Sequence, residues 1–251
     1  MNELATYSGV APYQVTAEFY DLLHGVDYRQ RARRLLSFYA AQAQVAILEV
    51  GAGSGLVTTV LAEVSAVPVH AVEPSQPMRA LLLGRLADST KLVRQRVTVH
   101  AAAVQDVGLR EMADLAVCIN VASCWDPAQR RAAWRAIGQA LIPDGVLVLD
   151  WPLESADVTG QSAESETVTV GRDEYGGRLT IVGCGGGRAR MDVTYQVRRS
   201  GVLLREESES FDMWLVGRRQ LLAELAATGL RLGPEGDGGG DSPLLRVYRC
   251  V

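Results

Sequence analysis

Glycines at positions 51, 53 and 55 follow Glu49 at alternate residues, and a second acid, Glu73, comes 18 residues after the last of them. Glycine lets the backbone turn sharply and approach a ligand that a Cβ would push away. A carboxylate placed beside such a turn can accept both hydrogens of a ribose diol. If a helix starts at the turn, its free N–H groups attract the anionic part of the same ligand. These residues therefore predict nucleotide binding, although a tight strand-to-helix turn with no ligand fits the glycines equally well.

The surrounding hydropathy supplies the framework. The apolar run Val45 to Val50 leads into the glycines, a helical pattern follows, and a second apolar run, Val69 to Val72, ends at Glu73. Strand, glycine turn, helix and acid-tipped strand make a nucleotide-binding βαβ unit. Helix and strand patterns then alternate, which predicts a parallel sheet covered on both faces. Strand three falls near Val97 to Ala101, strand four at Leu115 to Val121 and strand five at Val146 to Leu149, after a Pro143-Asp144-Gly145 turn. Asp126-Pro127-Ala128-Gln129 reads as a capped helix start.

Two segments stand outside this rhythm. Residues 1–44 carry a helical pattern, with Phe19, Leu22 and Leu23 on one face, ahead of the first strand. Residues 155–215 lose the helix period and alternate instead, as in Met191, Val193, Tyr195 and Val197. They predict an inserted antiparallel sheet of three or four strands, forming either a roof over a pocket or a dimer interface. Helical pattern returns at Leu221, and 230–232 with 244–247 predict a closing hairpin. The expected division is a helical N-terminal lid (1–44), a core (45–154), the insertion (155–215), and a terminal helix and hairpin (216–251).

Composition narrows the function classes. Of 251 residues, 48% are hydrophobic and 22% charged, ordinary values for a globular protein with a full core. A net charge of −4 argues against a nucleic-acid partner. No apolar run is long enough to span a membrane, and the start, Met1-Asn2-Glu3-Leu4, lacks a signal-peptide pattern, so a cytoplasmic location is expected. Cys118, Cys124, Cys184 and Cys250 show no C-x-x-C pairing and are expected to be buried free thiols. No cluster has metal-ligand spacing, so no metal is expected.

The motif E-x-G-x-G-x-G, from Glu49 to Gly55, resembles the first motif of class I S-adenosylmethionine (SAM)-dependent methyltransferases at every fixed position. A dinucleotide fingerprint, G-x-G-x-x-G, has a different spacing. The resemblance covers residues 45–150 and the terminal helix and hairpin. It implies an α/β, Rossmann-like doubly wound fold with a mostly parallel seven-stranded sheet. A helical N-terminus and an antiparallel insertion after strand five further resemble natural-product methyltransferases of the aminosugar N-methyltransferase and peptide N-terminal methyltransferase types.

The resemblance also implies roles. Glu49 would anchor the glycine loop or the cofactor's amino group, and Gly51, Gly53 and Gly55 would face the methionine part. Glu73 would bind the ribose, and Pro74 or Ser75 would border the adenine. Ala103 stands where the family often has an acid for the adenine amino group, leaving the Val104 N–H to meet that ring. Asn120 would lie beside the transferred methyl. Tyr13, Phe19 and Tyr20 would be lid aromatics over the acceptor, and Trp125 and Trp151 its walls, with core filling as the alternative for Trp125. Glu154 would hold a cationic acceptor, against the alternative of a solvated loop acid. His24 is the histidine placed to act as a base, whereas His70 reads as a core residue. The partner expected is a small-molecule or peptide acceptor, and a homodimer stays open. With no clear base, N-methylation is favoured over O- or C-methylation. A non-methylating cyclase on the same fold and a SAM-sensing regulator are the alternatives.

Overall fold

A computed structural model describes residues 13–151, 160–233 and 244–250. The chain opens with a long helix, α1 (Thr16–Gln42). It then runs β1 (Ile47–Val50), α2 (Leu56–Val64), β2 (Val69–Val72), α3 (Gln76–Asp88), α4 (Lys91–Arg96) and β3 (Val97–His100). α5 (Val104–Val107), β4 (Ala113–Cys118), α6 (Pro127–Ala140) and β5 (Leu141–Asp150) complete the parallel part. The insertion is β6 (Ser162–Glu164), β7 (Val168–Val170), β8 (Asp173–Gly185), β9 (Arg188–Arg199) and β10 (Val202–Trp214). α7 (Arg218–Ala226), β11 (Leu230–Leu232) and β12 (Leu244–Arg249) close the chain.

The main sheet has seven strands in the order β11-β12-β5-β4-β1-β2-β3. β1 to β5 pair in parallel, and β12 and β11 join antiparallel at one edge. The central strands are apolar on both faces because helices cover both: every residue of β1 is buried. On one face Trp134 and Ile137 of α6 and Leu221 and Leu225 of α7 pack on Leu48, Ala116 and Leu147. On the other, Ala32, Leu36 and Ala40 of α1 pack with Leu61 and Leu82 on Ile47, Val69 and Leu115. Arg130 is fully buried where α6 meets α7, forking onto both carboxylate oxygens of Glu224 (2.7 and 2.9 Å).

Three details depart from expectation. β1 starts at Ile47 rather than Val45, because Asp114 accepts the N–H groups of Gln44, Val45 and Ala46 and holds them as a turn. β5 runs from Leu141, with the Pro143-Asp144-Gly145 turn absorbed as a bulge between the Ala113 and Leu115 pairings and Asp144 left-handed at φ 61°. The insertion has five strands, since two three-residue strands are too short for their alternation to be read.

The insertion holds the start of α1. Glu209 of β10 accepts the N–H groups of Gln14 and Thr16 (3.1 and 2.8 Å), capping a helix whose own N-cap residue, Val15, offers no side chain. Phe19 lies flat on Tyr195 of β9, ring centres 4.4 Å apart. α1 thus has two buried faces, one on the core and one on the insertion.

Candidate functional site

The strand order reverses direction between β1 and β4, so a crevice opens at their C-terminal ends. Open α/β sheets bind ligands at such a point. Here a cavity of about 990 Å³ starts in that crevice and extends beneath α1 and the insertion. That is the upper end of the ~300–1,000 Å³ typical of ligand pockets.

The glycine turn forms one end. Val72 O accepts the N–H groups of Gly51 and Ala52 (2.9 and 3.0 Å), anchoring the turn on β2. All three glycines are left-handed, with φ of 73°, 56° and 82°. Their surroundings differ. A Cβ on Gly51 would collide with Val121 and one on Gly55 with Leu82, but one on Gly53 would have Met78 Cε at 3.5 Å. Gly51 and Gly53 line the cavity, whereas Gly55 is buried against α3, where it allows α2 and α3 to pack closely. The expectation that Gly55 faces a ligand is corrected accordingly. Ser54, between Gly53 and Gly55, lines the cavity, and its buried Oγ has no partner among the described residues.

Glu73 ends β2 and turns its carboxylate back to the loop. It accepts the Gly53 N–H at Oε2 (2.8 Å) and the Ser75 N–H at Oε1 (2.7 Å), leaving lone pairs on each oxygen. Burial pushes its pKa up despite those bonds. Glu49 lies deeper, fixed by the Thr58 hydroxyl (2.6 Å), and its pKa is pushed up to about 8 by burial. Asp150, at the end of β5, accepts the Asn120 N–H (2.9 Å) and is likewise raised by burial. None of these three carboxylates has an ion-pair partner among the described residues. Pro74, Ala103 and Val104 complete this end of the cavity, with Val104 starting α5.

The other end is aromatic. Tyr13, Tyr20, His24 and Tyr28 line it from α1 and its lead-in, and Trp125 and Trp151 from the rim of β4 and β5. Leu179, Met191, Phe211 and Met213 of the insertion roof it. Burial raises the pKa of all three tyrosines, that of Tyr20 to about 12, so their hydroxyls stay protonated. Burial lowers His24 below the usual histidine range. Asn120 is left-handed at φ 59° and donates from Nδ2 to the Tyr28 hydroxyl (3.0 Å), linking the rim to α1. Trp125 packs edge-on against Trp134 (5.3 Å), its carbonyl held by Arg130. Arg218 lies over the Trp151 ring, 4.4 Å from its centre.

Phe19 does not line the cavity. It is 1% exposed and buried among Tyr195, Val193 and Tyr175, because α1 turns that face to the insertion. Glu154 lies outside the described residues. Asp150 belongs to the cavity wall, as its place at the end of strand five leads one to expect, and so does Tyr28, which its residue type alone did not single out. Tyr28 follows Tyr20 and His24 at four-residue spacing, the signal that could have found it. Of the cysteines only Cys118 is buried; Cys124, Cys184 and Cys250 are exposed. His70 bonds to His100 (3.0 Å) across β2 and β3, away from the cavity.

Residues 48–147 match a methyltransferase-domain family. This stretch resembles a methyltransferase domain. It holds the glycine turn, Glu49, Glu73, Val104, Asn120 and Trp125. Comparison with curated proteins by sequence returns no match. Among solved structures, an amino pentose methyltransferase from Micromonospora echinaspora, SAM-bound and involved in calicheamicin biosynthesis, is similar at 22% identity. Its TM-score is 0.73, over 96% of this chain and 99% of that one. A sugar N-methyltransferase, KedS8, from a Streptoalloteichus species is similar at 23% identity and TM-score 0.73, over 100% and 98%. The glycopeptide N-methyltransferase MtfA, complexed with S-adenosylhomocysteine (SAH), follows at 19% and 0.57, over 89% and 86%. At these identities the likeness shows a shared fold.

Proposed function

We propose that this protein is a SAM-dependent methyltransferase that N-methylates a small-molecule or peptide natural product. The observation that carries the reading is a single cavity with two unlike ends. One end presents a backbone turn, a buried partnerless hydroxyl and buried carboxylates. The other presents aromatic rings and neutral hydroxyls. A SAM sensor needs only the first end.

The residues present fit SAM. Gly53 leaves room that a side chain would fill, and Ser54 Oγ offers a donor to the methionine carboxylate. Glu73 keeps lone pairs for the ribose hydroxyls, and Glu49 lies where an ammonium would satisfy it. Pro74 and the Val104 N–H would border the adenine, and Asn120 would stand beside the sulfonium. Bound SAM supplies a methyl group that its sulfonium has already made electrophilic.

The chain's own task is then to hold an amine in line and exclude water, which can supply up to ~7–11 kcal/mol of the barrier. Tyr13, Tyr20, Trp125 and Trp151 would wall the acceptor, and aromatic faces stabilise nearby cations by ~0.5–2 kcal/mol. Among the described residues no cavity histidine is bonded to a carboxylate, so no oriented base of the His–acid kind is present. An amine needs none if it arrives neutral. His24 lines the same end and burial keeps it neutral, so the product ammonium carries its proton out to solvent. The names of the similar structures, sugar and glycopeptide N-methyltransferases among them, support nitrogen as the acceptor atom.

Titration calorimetry with SAH tests the cofactor half of this reading. Saturable binding at one site per chain is expected, and no binding by folded protein would refute it.

A further inference from the structure

One arginine joins the glycine turn to the lid helix. Arg85, on α3, donates from Nε to the carbonyl of Ser54 (2.9 Å) and from Nη2 to the carboxylate of Asp21 on α1. The guanidinium is planar, so its two contacts are fixed in one geometry. Both ends matter. The Ser54 carbonyl lies between two left-handed glycines, and the neighbouring Gly53 N–H is held by Glu73 from the cavity side. Asp21 Oδ1 is buried with no partner among the described residues, and among these Arg85 is what seats the carboxylate. A polar path therefore runs from Glu73, through the turn and Arg85, to α1. Four and seven residues beyond Asp21 on that helix, Gly25 is buried and Tyr28 faces the cavity.

We propose that Arg85 is a positioning residue that couples ligand binding at the glycine turn to seating of the lid. A ligand that orders the turn fixes the Ser54 carbonyl, which fixes the arginine and thereby Asp21. By reciprocity, a seated lid tightens binding at the turn. Neither Arg85 nor Asp21 touches the ligand in this account. The inference rests on the SAM reading of the cavity.

Backbone hydrogen exchange of residues 16–30, with and without SAH, tests it in the full-length protein. In the wild type, SAH should slow exchange across that segment. In Arg85→Met, SAH should bind at least about fivefold more weakly, the lower end of typical coupling. At SAH concentrations that saturate the variant, the lid should no longer respond. Asp21→Asn should reproduce the loss without altering the turn, and it keeps the test available if Arg85→Met fails to fold. Arg85→Lys should restore the response only in part. A lid that responds to SAH as strongly in both variants as in the wild type overturns the coupling. So does a lid loosened equally with and without SAH, which is a merely structural role. Wild-type protein that does not bind SAH overturns the SAM reading and this inference together.

Discussion

Replacing Glu73 with glutamine changes one atom and disturbs two functions of that side chain. Each carboxylate oxygen now accepts a backbone N–H, from Gly53 and from Ser75. A glutamine has only one acceptor oxygen, so its NH2 group must face one of those N–H donors. The lost bond and the buried donor left without a partner cost ~1–3 kcal/mol. In a chain of this size that lowers the melting temperature by ~2–4 °C for each kcal/mol. The ribose meets the same defect, because one hydroxyl loses its acceptor. A loss of ~1–3 kcal/mol in binding corresponds to about 5–150-fold in affinity for SAH. Differential scanning calorimetry measures the first quantity and titration calorimetry the second, on the same preparation. Glu73→Gln that binds SAH as tightly as the wild type would refute the assignment of Glu73 to the ribose. A melting temperature that does not change would refute the role of its carboxylate in holding the turn.

Other perturbations separate parts of the account. Gly53→Val should fold, at a penalty of ~1–2 kcal/mol for a left-handed side-chain residue, and lose SAH binding. Gly55→Val should instead destabilise strongly, since its Cβ meets Leu82; equal melting temperatures for the two would contradict the packing. For Glu49, the folded-state pKa of about 8 lies above the ordinary 4.5, so the fold favours the neutral acid. That stabilisation is fully present below about pH 4.5 and is lost as the pH rises through 8. Glu49→Gln should therefore gain stability relative to the wild type between pH 5 and 8, and parallel denaturation curves would contradict this. His24→Ala should slow turnover only about tenfold, whereas removing residues up to 27 should abolish it. A ~10³-fold loss in His24→Ala with SAH binding intact would indicate general-base catalysis and an acceptor other than an amine.

The nucleotide-binding unit was legible because its signals are local. Glu49, three glycines, the helix and Glu73 fall within 25 residues, and hydropathy alternates around them as the topology requires. The insertion was legible by its period of two, apart from β6 and β7. What sequence left open depends on contacts between distant segments. α1 buries one face on the core and another on the insertion, so its apolar residues surround it. Position alone could not tell that Phe19 would stack on Tyr195 while Tyr20 and Tyr28 turned to the cavity. Arg130 reads as a surface arginine until Glu224, 94 residues away, comes beside it. The repeated glycines look equivalent in sequence, and only the approach of Val121, Met78 and Leu82 gives each a different task.

The central claim, that one cavity holds SAM at the glycine turn and an amine under the lid, is tested most directly by following the methyl group itself. The full chain would be incubated with SAM bearing a trideuterated methyl. The acceptors would be a panel of free and glycosidically linked aminosugars and short peptides with a free amino terminus. Mass spectrometry would then locate the label. The account predicts SAH formed in equal amount to a product that carries the trideuteromethyl on nitrogen. Label on a hydroxyl oxygen or on carbon would contradict it, as would SAM bound at Glu73 with no transfer to any amine.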